Sequence, residues 1–404
     1  LRDAETTLAA IDPDDVGAKR LSALRDGLAQ RRLGSYPLVF DRSGKAIAAF
    51  QIDNRDLVAI NRDFAPLIES TAGPLTVESH LGELGTAGTI ETTLDVVLQR
   101  AAVQALGGFR GALVAIDVKS NTLVAVASSP GPGPLTNVAF DGGIEPGSVV
   151  KILTAMNLYE SGLRSSDVFP SRCDGLLEID GKLLYDWAVH GDVPDLDEAL
   201  AVSCNVIFAR IGMKLGGERV DAMLRRAGFG ETADVGLFRV PLGTHAITPR
   251  GDHQTATYAV GLQHETTNAL HMAMIAAAVA NRGVMTAPRL LRGRRSILGD
   301  ALGIDPTQRQ YRLAAESSVK PVAAAMEAAV VNPRGTGRRA VVTGVPIALK
   351  TGTSGTAADG YDAIIAAYAP VYDPRIAIGI TAENSGAAEY AGAQMTQAFF
   401  SAIA

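Results

Sequence analysis

The sequence predicts an α+β fold: an antiparallel β-sheet flanked by helices, with a small N-terminal α/β segment in front of it. Three observations lead there. β-rich runs occur at 111–127 and again at 346–382, the stretch between them is mostly helical in periodicity, and the chain closes on an apolar helical segment. Strands at both ends with helices between imply one sheet assembled from two distant parts of the chain, with helices segregated around it.

Each element follows from local pattern. Leu8, Ile11, Val16, Leu21, Leu24 and Leu28 recur at loosely helical intervals and predict a helix within 1–35. Leu38-Val39-Phe40, the turn signal Asp41-Arg42-Ser43-Gly44 and the extended run 46–52 predict a hairpin. Residues 69–89 are rich in Gly, Thr and Ser without periodicity, which places a seam near 87–91 and divides the chain into 1–90 and 91–404. From Thr93, residues Leu94, Val97, Leu98, Ala101, Ala102 and Ala105 trace an amphipathic helix that Gly107-Gly108 stops. The runs 111–118 and 122–127 predict a second hairpin, followed by a loop with Pro130, Pro132 and Pro134. Helices are expected over 149–162, 196–215, 219–227 and 266–281. Strands are expected over 346–351, 363–368 and 375–382, the last two joined by a turn at Asp373-Pro374, before a terminal helix over 387–403.

Composition narrows the function classes. With 404 residues, 47% hydrophobic and 20% charged, the chain has a globular composition that excludes collagen, coiled coil and wholesale disorder. A net charge of −6 leaves no overall basic field to hold a nucleic-acid backbone, so no nucleic-acid partner is expected. Cys173 and Cys204 are too few for a disulfide framework and lack the paired spacing of a structural zinc site, and a disulfide between them is left open. The six histidines, His80, His190, His245, His253, His264 and His271, show no His-Glu-x-x-His pairing and read as structural or surface residues. Trp187 reads as core, and Cys204 as a small packing residue. No apolar run of about 18 residues occurs, so nothing here reads as a bilayer span. The chain starts at Leu1 rather than Met, and an anchor or export signal is expected in a segment before it.

Three short motifs carry chemistry. In Glu145-Pro146-Gly147-Ser148-Val149-Val150-Lys151, Pro and Gly end a loop and the serine opens an apolar helix. Ser148 and Lys151 sit one turn apart on one face, so the amine can reach the hydroxyl while the helix start offers N–H groups to a developing oxyanion. That arrangement suits an activated nucleophile; alone, the pattern reads first as an N-cap and a solvated lysine. Ser203-Cys204-Asn205 lies within the apolar pattern Leu200, Val202, Val206, Phe208, where a hydroxyl and an amide two residues apart can relay a proton and hold a substrate amide. Alone, it reads first as a cap or helix-turn serine and asparagine. Lys350-Thr351-Gly352-Thr353 ends an apolar strand, with Gly352 removing a side chain where a ligand can approach, and Lys350 and the threonine hydroxyls suited to a substrate carboxylate.

In this order the motifs resemble those of penicillin-binding protein transpeptidase domains, from about Thr93 to the C-terminus. The phrases 111–117, Asn137-Val138-Ala139, Glu145-Pro146-Gly147-Ser148 and Tyr368-Ala369-Pro370 are similar to family phrases in their usual order, and Gly335-Thr336-Gly337 to the loop before the Lys350 strand. Phe40-Asp41-Arg42-Ser43-Gly44 resembles a segment of class B, monofunctional members. The resemblance implies a penicillin-binding protein/serine β-lactamase-like fold, with 1–90 as a reduced pedestal and 91–404 as the transpeptidase domain. Ser148 would attack a D-Ala-D-Ala stem peptide to form an acyl-enzyme, with Lys151 as base, its pKa lowered by burial and by the charge of Lys350. Ser203 would pass a proton to the leaving amine and Asn205 would hold the substrate amide. Lys350 and Thr351 would shape the carboxylate site beside Gly352, and the N–H groups of Ser148 and Thr353 would form the oxyanion hole.

The resemblance implies no cofactor and no metal, acylation by β-lactams, possible cell-wall synthesis partners, and an extracytoplasmic location. Rival readings are a serine β-lactamase or D,D-carboxypeptidase, which adds fast deacylation, and a penicillin-binding sensor or scaffold that acylates without transfer. Two departures stand out. Asp362-Ala363-Ile364-Ile365 replaces a His-Ala-Trp-Phe type run, and Thr266-Thr267-Asn268 replaces a usual Thr-Pro pair.

Overall fold

A computed structural model describes residues 35–404, apart from 52–55, 71–86, 132–134, 142, 246, 263–264, 297–299, 305–307 and 357. The helix expected within 1–35, His80, His264 and most of the aperiodic stretch 69–89 lie outside the described residues.

The central sheet has five antiparallel strands, in the order Ala348–Thr356, Gly360–Ala369, Ile376–Ala382, Gly111–Asp117, Thr122–Ser129. As expected, its halves come from opposite ends of the chain. Both faces are covered, which is why its strands are apolar almost throughout rather than alternating. On one face Val114, Ile116, Ile364 and Ala366 join a large core with the helices Lys151–Glu160, Asn205–Leu215 and Ala269–Ala280. On the other, Leu113, Ala115, Ile365 and Ile378 pack with the Val96–Ala105 and Ala391–Ile403 helices.

A second, six-stranded sheet carries the predicted hairpin, Ser35–Phe40 and Ala46–Gln51. Asp41 closes its turn by accepting from the N–H groups of Ser43 and Lys45 at 2.9 and 2.8 Å. Ala87–Thr92 runs parallel to Ser35–Phe40 and antiparallel to Leu291–Ser296, so this sheet recruits a strand from far downstream. Among the described residues no helix is long and apolar enough to cross a membrane.

Three sequence expectations change. The helix expected over 196–215 is two helices, Leu196–Ala201 and Asn205–Leu215, broken at Ser203, whose φ is +57°. The apolar period runs unbroken across the gap because both helices face one core, so periodicity cannot reveal the break. The strand expected to end at Lys350-Thr351 continues to Thr356, because pairing with Gly360–Ala369 carries it past Gly352. The helices Gly251–Val260 and Glu316–Val331 were not anticipated; the second has Pro321 inside it.

Candidate active site

Ser148 lies in a 3₁₀ turn, Gly147–Val150, that leads directly into the helix Lys151–Glu160. It is therefore not a simple N-cap. Gly147 has φ +53°, and a Cβ there would meet the Thr353 carbonyl oxygen at 2.7 Å. A Cβ on Gly352 would lie 2.5 Å from the carbonyl oxygen of Pro146. The serine turn and the Lys350 strand thus touch backbone to backbone. What stands closest to the missing side chain of Gly352 is the turn that carries Ser148.

The break at Ser203 has its own physical account. A helix that ends buried leaves carbonyls without partners. Here the Ala201 carbonyl accepts from Thr336 N at 2.9 Å, that of Val202 from Trp187 Nε1 at 3.0 Å, and that of Ser203 from Lys151 Nζ at 2.7 Å. Cys204 caps the next helix, its Sγ accepting from Ile207 N at 3.4 Å. Lys151 is therefore also part of the end of a helix.

Two lysines converge on one hydroxyl. Lys151 and Lys350 are both fully buried. Lys151 Nζ donates to Asn205 Oδ1 at 2.6 Å and lies 3.3 Å from Ser203 Oγ, while Lys350 Nζ donates to Ser203 Oγ at 2.9 Å and to the Thr351 carbonyl at 2.8 Å. Burial pulls Lys151 down to about 8, opposed by the Asp186 carboxylate. Lys350 is held well below its usual value, first by burial and then by the charge on Lys151. Burial, rather than Lys350, is thus the first cause of the Lys151 shift. Among the described residues Lys151 is hydrogen-bonded to Ser203 and Asn205 and not to Ser148.

The motifs share one cleft of about 250 Å³, lined by Ser148, Ser203, Asn205, Thr351 and Thr353 among others. Gly352 stands behind it, against the serine turn. Trp187, expected in the core, is 55% exposed and forms one wall, while its ring N–H holds the Val202 carbonyl. Thr336 also lines the cleft and is buried, its hydroxyl accepting from Thr351 Oγ1 at 2.7 Å. Sequence reasoning placed Thr336 in the right loop without a role. Its signal was there, flanked by two glycines; a Cβ at Gly337 would strike Leu349 Cδ2 at 2.1 Å.

A sequence profile described as the penicillin binding protein transpeptidase domain matches residues 111–404. The chain belongs to that family. Among curated relatives, peptidoglycan D,D-transpeptidase PbpA of Mycolicibacterium smegmatis is 25% identical over 340 residues, covering 74% of this chain and 68% of its own. Peptidoglycan D,D-transpeptidase FtsI of Escherichia coli is 26% identical, covering 72% of this chain and 50% of its own. In fold, this transpeptidase domain resembles the D,D-transpeptidase domain of a peptidoglycan glycosyltransferase from Eggerthella lenta, with TM-score 0.78 and 23% identity over 92% of this chain and 98% of the other. Penicillin-binding protein A of Mycobacterium tuberculosis, solved as a penicillin G acyl-enzyme complex, superposes with TM-score 0.78 at 20% identity, over 91% of this chain and 99% of its own. The expected α+β transpeptidase fold is thereby the observed one.

Beside the transpeptidase cleft lies a second polar group that sequence spacing did not bring together. Asp186, whose side chain is fully buried, accepts from Trp187 N at 2.9 Å and Val206 N at 3.2 Å, and faces Cys173 Sγ and His190 Nε2, each at 3.3 Å. Burial would raise its carboxyl, but His190, the Lys151 charge, Cys204 and the Val206 N–H outweigh it and hold the group well below the usual range. Cys173 and Cys204 are both buried and are free thiols.

Proposed function

We propose that this chain is a peptidoglycan D,D-transpeptidase that works through an acyl-enzyme on Ser148. The observation that carries the reading is the pair of buried lysines on the Ser203 hydroxyl, in the same cleft as Ser148. Lys151, lowered to about 8, keeps a usable fraction of free amine near neutral pH and can take the Ser148 proton as the hydroxyl attacks the penultimate D-Ala carbonyl. Ser203, held by both lysines, passes that proton to the departing D-Ala amine. The acyl-enzyme then yields to an acceptor amine by the reverse route. N–H groups of Ser148 and Thr353 serve as oxyanion donors, while Asn205 holds the substrate amide and Lys350 with Thr351 receives its carboxylate, Gly352 keeping the strand close.

A β-lactam amide enters the same pathway and leaves a stable ester. Stem peptides and β-lactams are thus its small partners, cell-wall synthesis proteins its macromolecular ones, and its place is outside the cytoplasm where the donor lies. The segment ahead of the 87–91 seam is read as a reduced pedestal for the transpeptidase domain, with the strand Ala87–Thr92 bridging the seam to Leu291–Ser296. Mass spectrometry after penicillin treatment is expected to find one covalent adduct, on the peptide containing Ser148, that Ser148→Ala abolishes. An adduct that survives that substitution would sink the assignment. Rapid nitrocefin turnover would shift it to a β-lactamase, and acylation without transfer to an amine would shift it to a sensor.

A further inference from the structure

We propose that Glu389 is a specificity residue of the Ser148 cleft, placed to receive a positively charged side chain on the donor residue just before the penultimate D-Ala. The inference rests on the proposed Ser148 chemistry and adds to it the class of stem peptide that the cleft selects.

Among the described residues that line the cleft, Glu389 alone carries a carboxylate; the others present hydroxyls, one amide, aromatic rings and apolar surface. Its side chain is half-buried, and among the described residues it enters no ion pair and no side-chain hydrogen bond. A carboxylate drawn partly out of water without a partner is unfavourable, and a cation that enters the cleft offsets that cost with a charge-assisted hydrogen bond. Tyr361, 42% exposed, lines the same cleft and offers its ring to the methylene stem and ammonium head of a long basic side chain. Arg339 lies over the Tyr390 ring at 4.5 Å, and the neighbouring carboxylate of Glu389 is left to a ligand.

The position of Glu389 is held by backbone. The segment 383–390 joins the strand Ile376–Ala382 to the helix Ala391–Ile403 and is tied down at four points. Glu383 N donates to the Arg110 carbonyl at 2.8 Å, Asn384 N to Asp362 Oδ1 at 2.9 Å, Gly386 N to the Tyr361 carbonyl at 3.0 Å and Ala388 N to Thr353 Oγ1 at 3.0 Å. The last of these sets Glu389 one residue from a direct contact with the Lys350 strand.

That contact also decides which part of the substrate Glu389 meets. In the proposed chemistry the leaving D-Ala places its carboxylate at Lys350 and Thr351, and the scissile carbonyl faces the Thr353 N–H. Moving along the strand from Thr351 to Thr353, at about 3.3 Å per residue, therefore passes from the leaving residue to the acyl residue. One step further in the same direction lies the residue before the penultimate D-Ala, on the side where Ala388 grips Thr353. The acceptor amine comes in where the leaving residue departs, so Glu389 reads the donor.

The test measures fluorescent-penicillin acylation of the full chain in competition with peptides ending in X-D-Ala-D-Ala, identical except that X is lysine or Nε-acetyllysine. The lysine peptide should protect at about fivefold lower concentration, an advantage that shrinks as salt is raised. Glu389→Gln should bring the two peptides within about twofold of each other, and Glu389→Lys should reverse the order in favour of X as glutamate. A purely structural role would weaken every peptide together and leave their order unchanged. Equal protection by the lysine and acetyllysine peptides, or none by either, in a chain that penicillin still acylates would overturn the subsite and leave the Ser148 chemistry standing. So would a lysine preference that Glu389→Gln retains. Failure of penicillin to acylate Ser148 in the parent chain would instead remove the reading on which the subsite rests.

Discussion

Gly352→Ala is the sharpest test of how the cleft is assembled. The added methyl would sit 2.5 Å from the Pro146 carbonyl oxygen, 3.1 Å from Val149 Cγ2 and 3.3 Å from Val149 N, whereas ordinary contact begins at 3.4 Å. Relief requires the strand and the serine turn to separate by roughly 0.9 Å, and the first obstacle is backbone, which cannot swing aside as a side chain can. Overpacking of this kind costs about 1–3 kcal/mol, enough to lower the melting temperature by a few degrees. The larger effect is on chemistry, because a misplacement of about 1 Å at a reacting group costs on the order of a hundredfold in rate. Stopped-flow acylation by a fluorescent penicillin, paired with thermal unfolding, separates the two. Gly283→Ala is the control: its Cβ would meet the Ala314 carbonyl oxygen at 2.1 Å, so it should lose stability while acylating near the parent rate. If Gly352→Ala acylates as fast as the parent chain, the contact between serine turn and strand does not set the nucleophile's position.

Three further outcomes follow from buried groups. Acylation should rise with pH through about 8 and then level, because Lys151 acts only as the free amine; a flat profile across that range would remove it as base. Its folded value also lies below the ordinary 10.5, so the folded chain binds fewer protons than the unfolded one between about 8 and 10.5. This residue's contribution to stability therefore increases with pH across that window, as a titration of unfolding free energy can check. Thr336→Val leaves the buried Thr351 hydroxyl without its 2.7 Å partner and should slow acylation by roughly tenfold, the equivalent of about 1.4 kcal/mol. Unchanged acylation by that variant would make Thr336 a bystander in the cleft wall.

Much of this was legible in the chain because it depends on near neighbours. The spacing of Ser148 and Lys151 survives as a 3₁₀ turn running into a helix, and the apolar runs at 111–127, 363–368 and 375–382 become adjacent strands. Those runs announce burial on both faces, which any sheet covered by helices demands. Harder to read was the break at Ser203, since the apolar face continues through it and only distant donors, Thr336, Trp187 and Lys151, make the freed carbonyls tolerable. Trp187 misled for a related reason. A large indole normally buries itself, but here its N–H is needed at the end of a helix and its ring stays half in solvent.

The chain by itself determined which groups could react and where most of the central sheet's strands and several of its helices lie, because side-chain chemistry and hydrophobic period are local properties. Only the tertiary structure decided that two lysines from distant segments meet at one hydroxyl and that burial lowers both, since desolvation has no meaning until a group's surroundings are assembled. It alone brought Cys173, Asp186, His190 and Cys204 together, because side chains on three separate segments have no repeating interval to betray them.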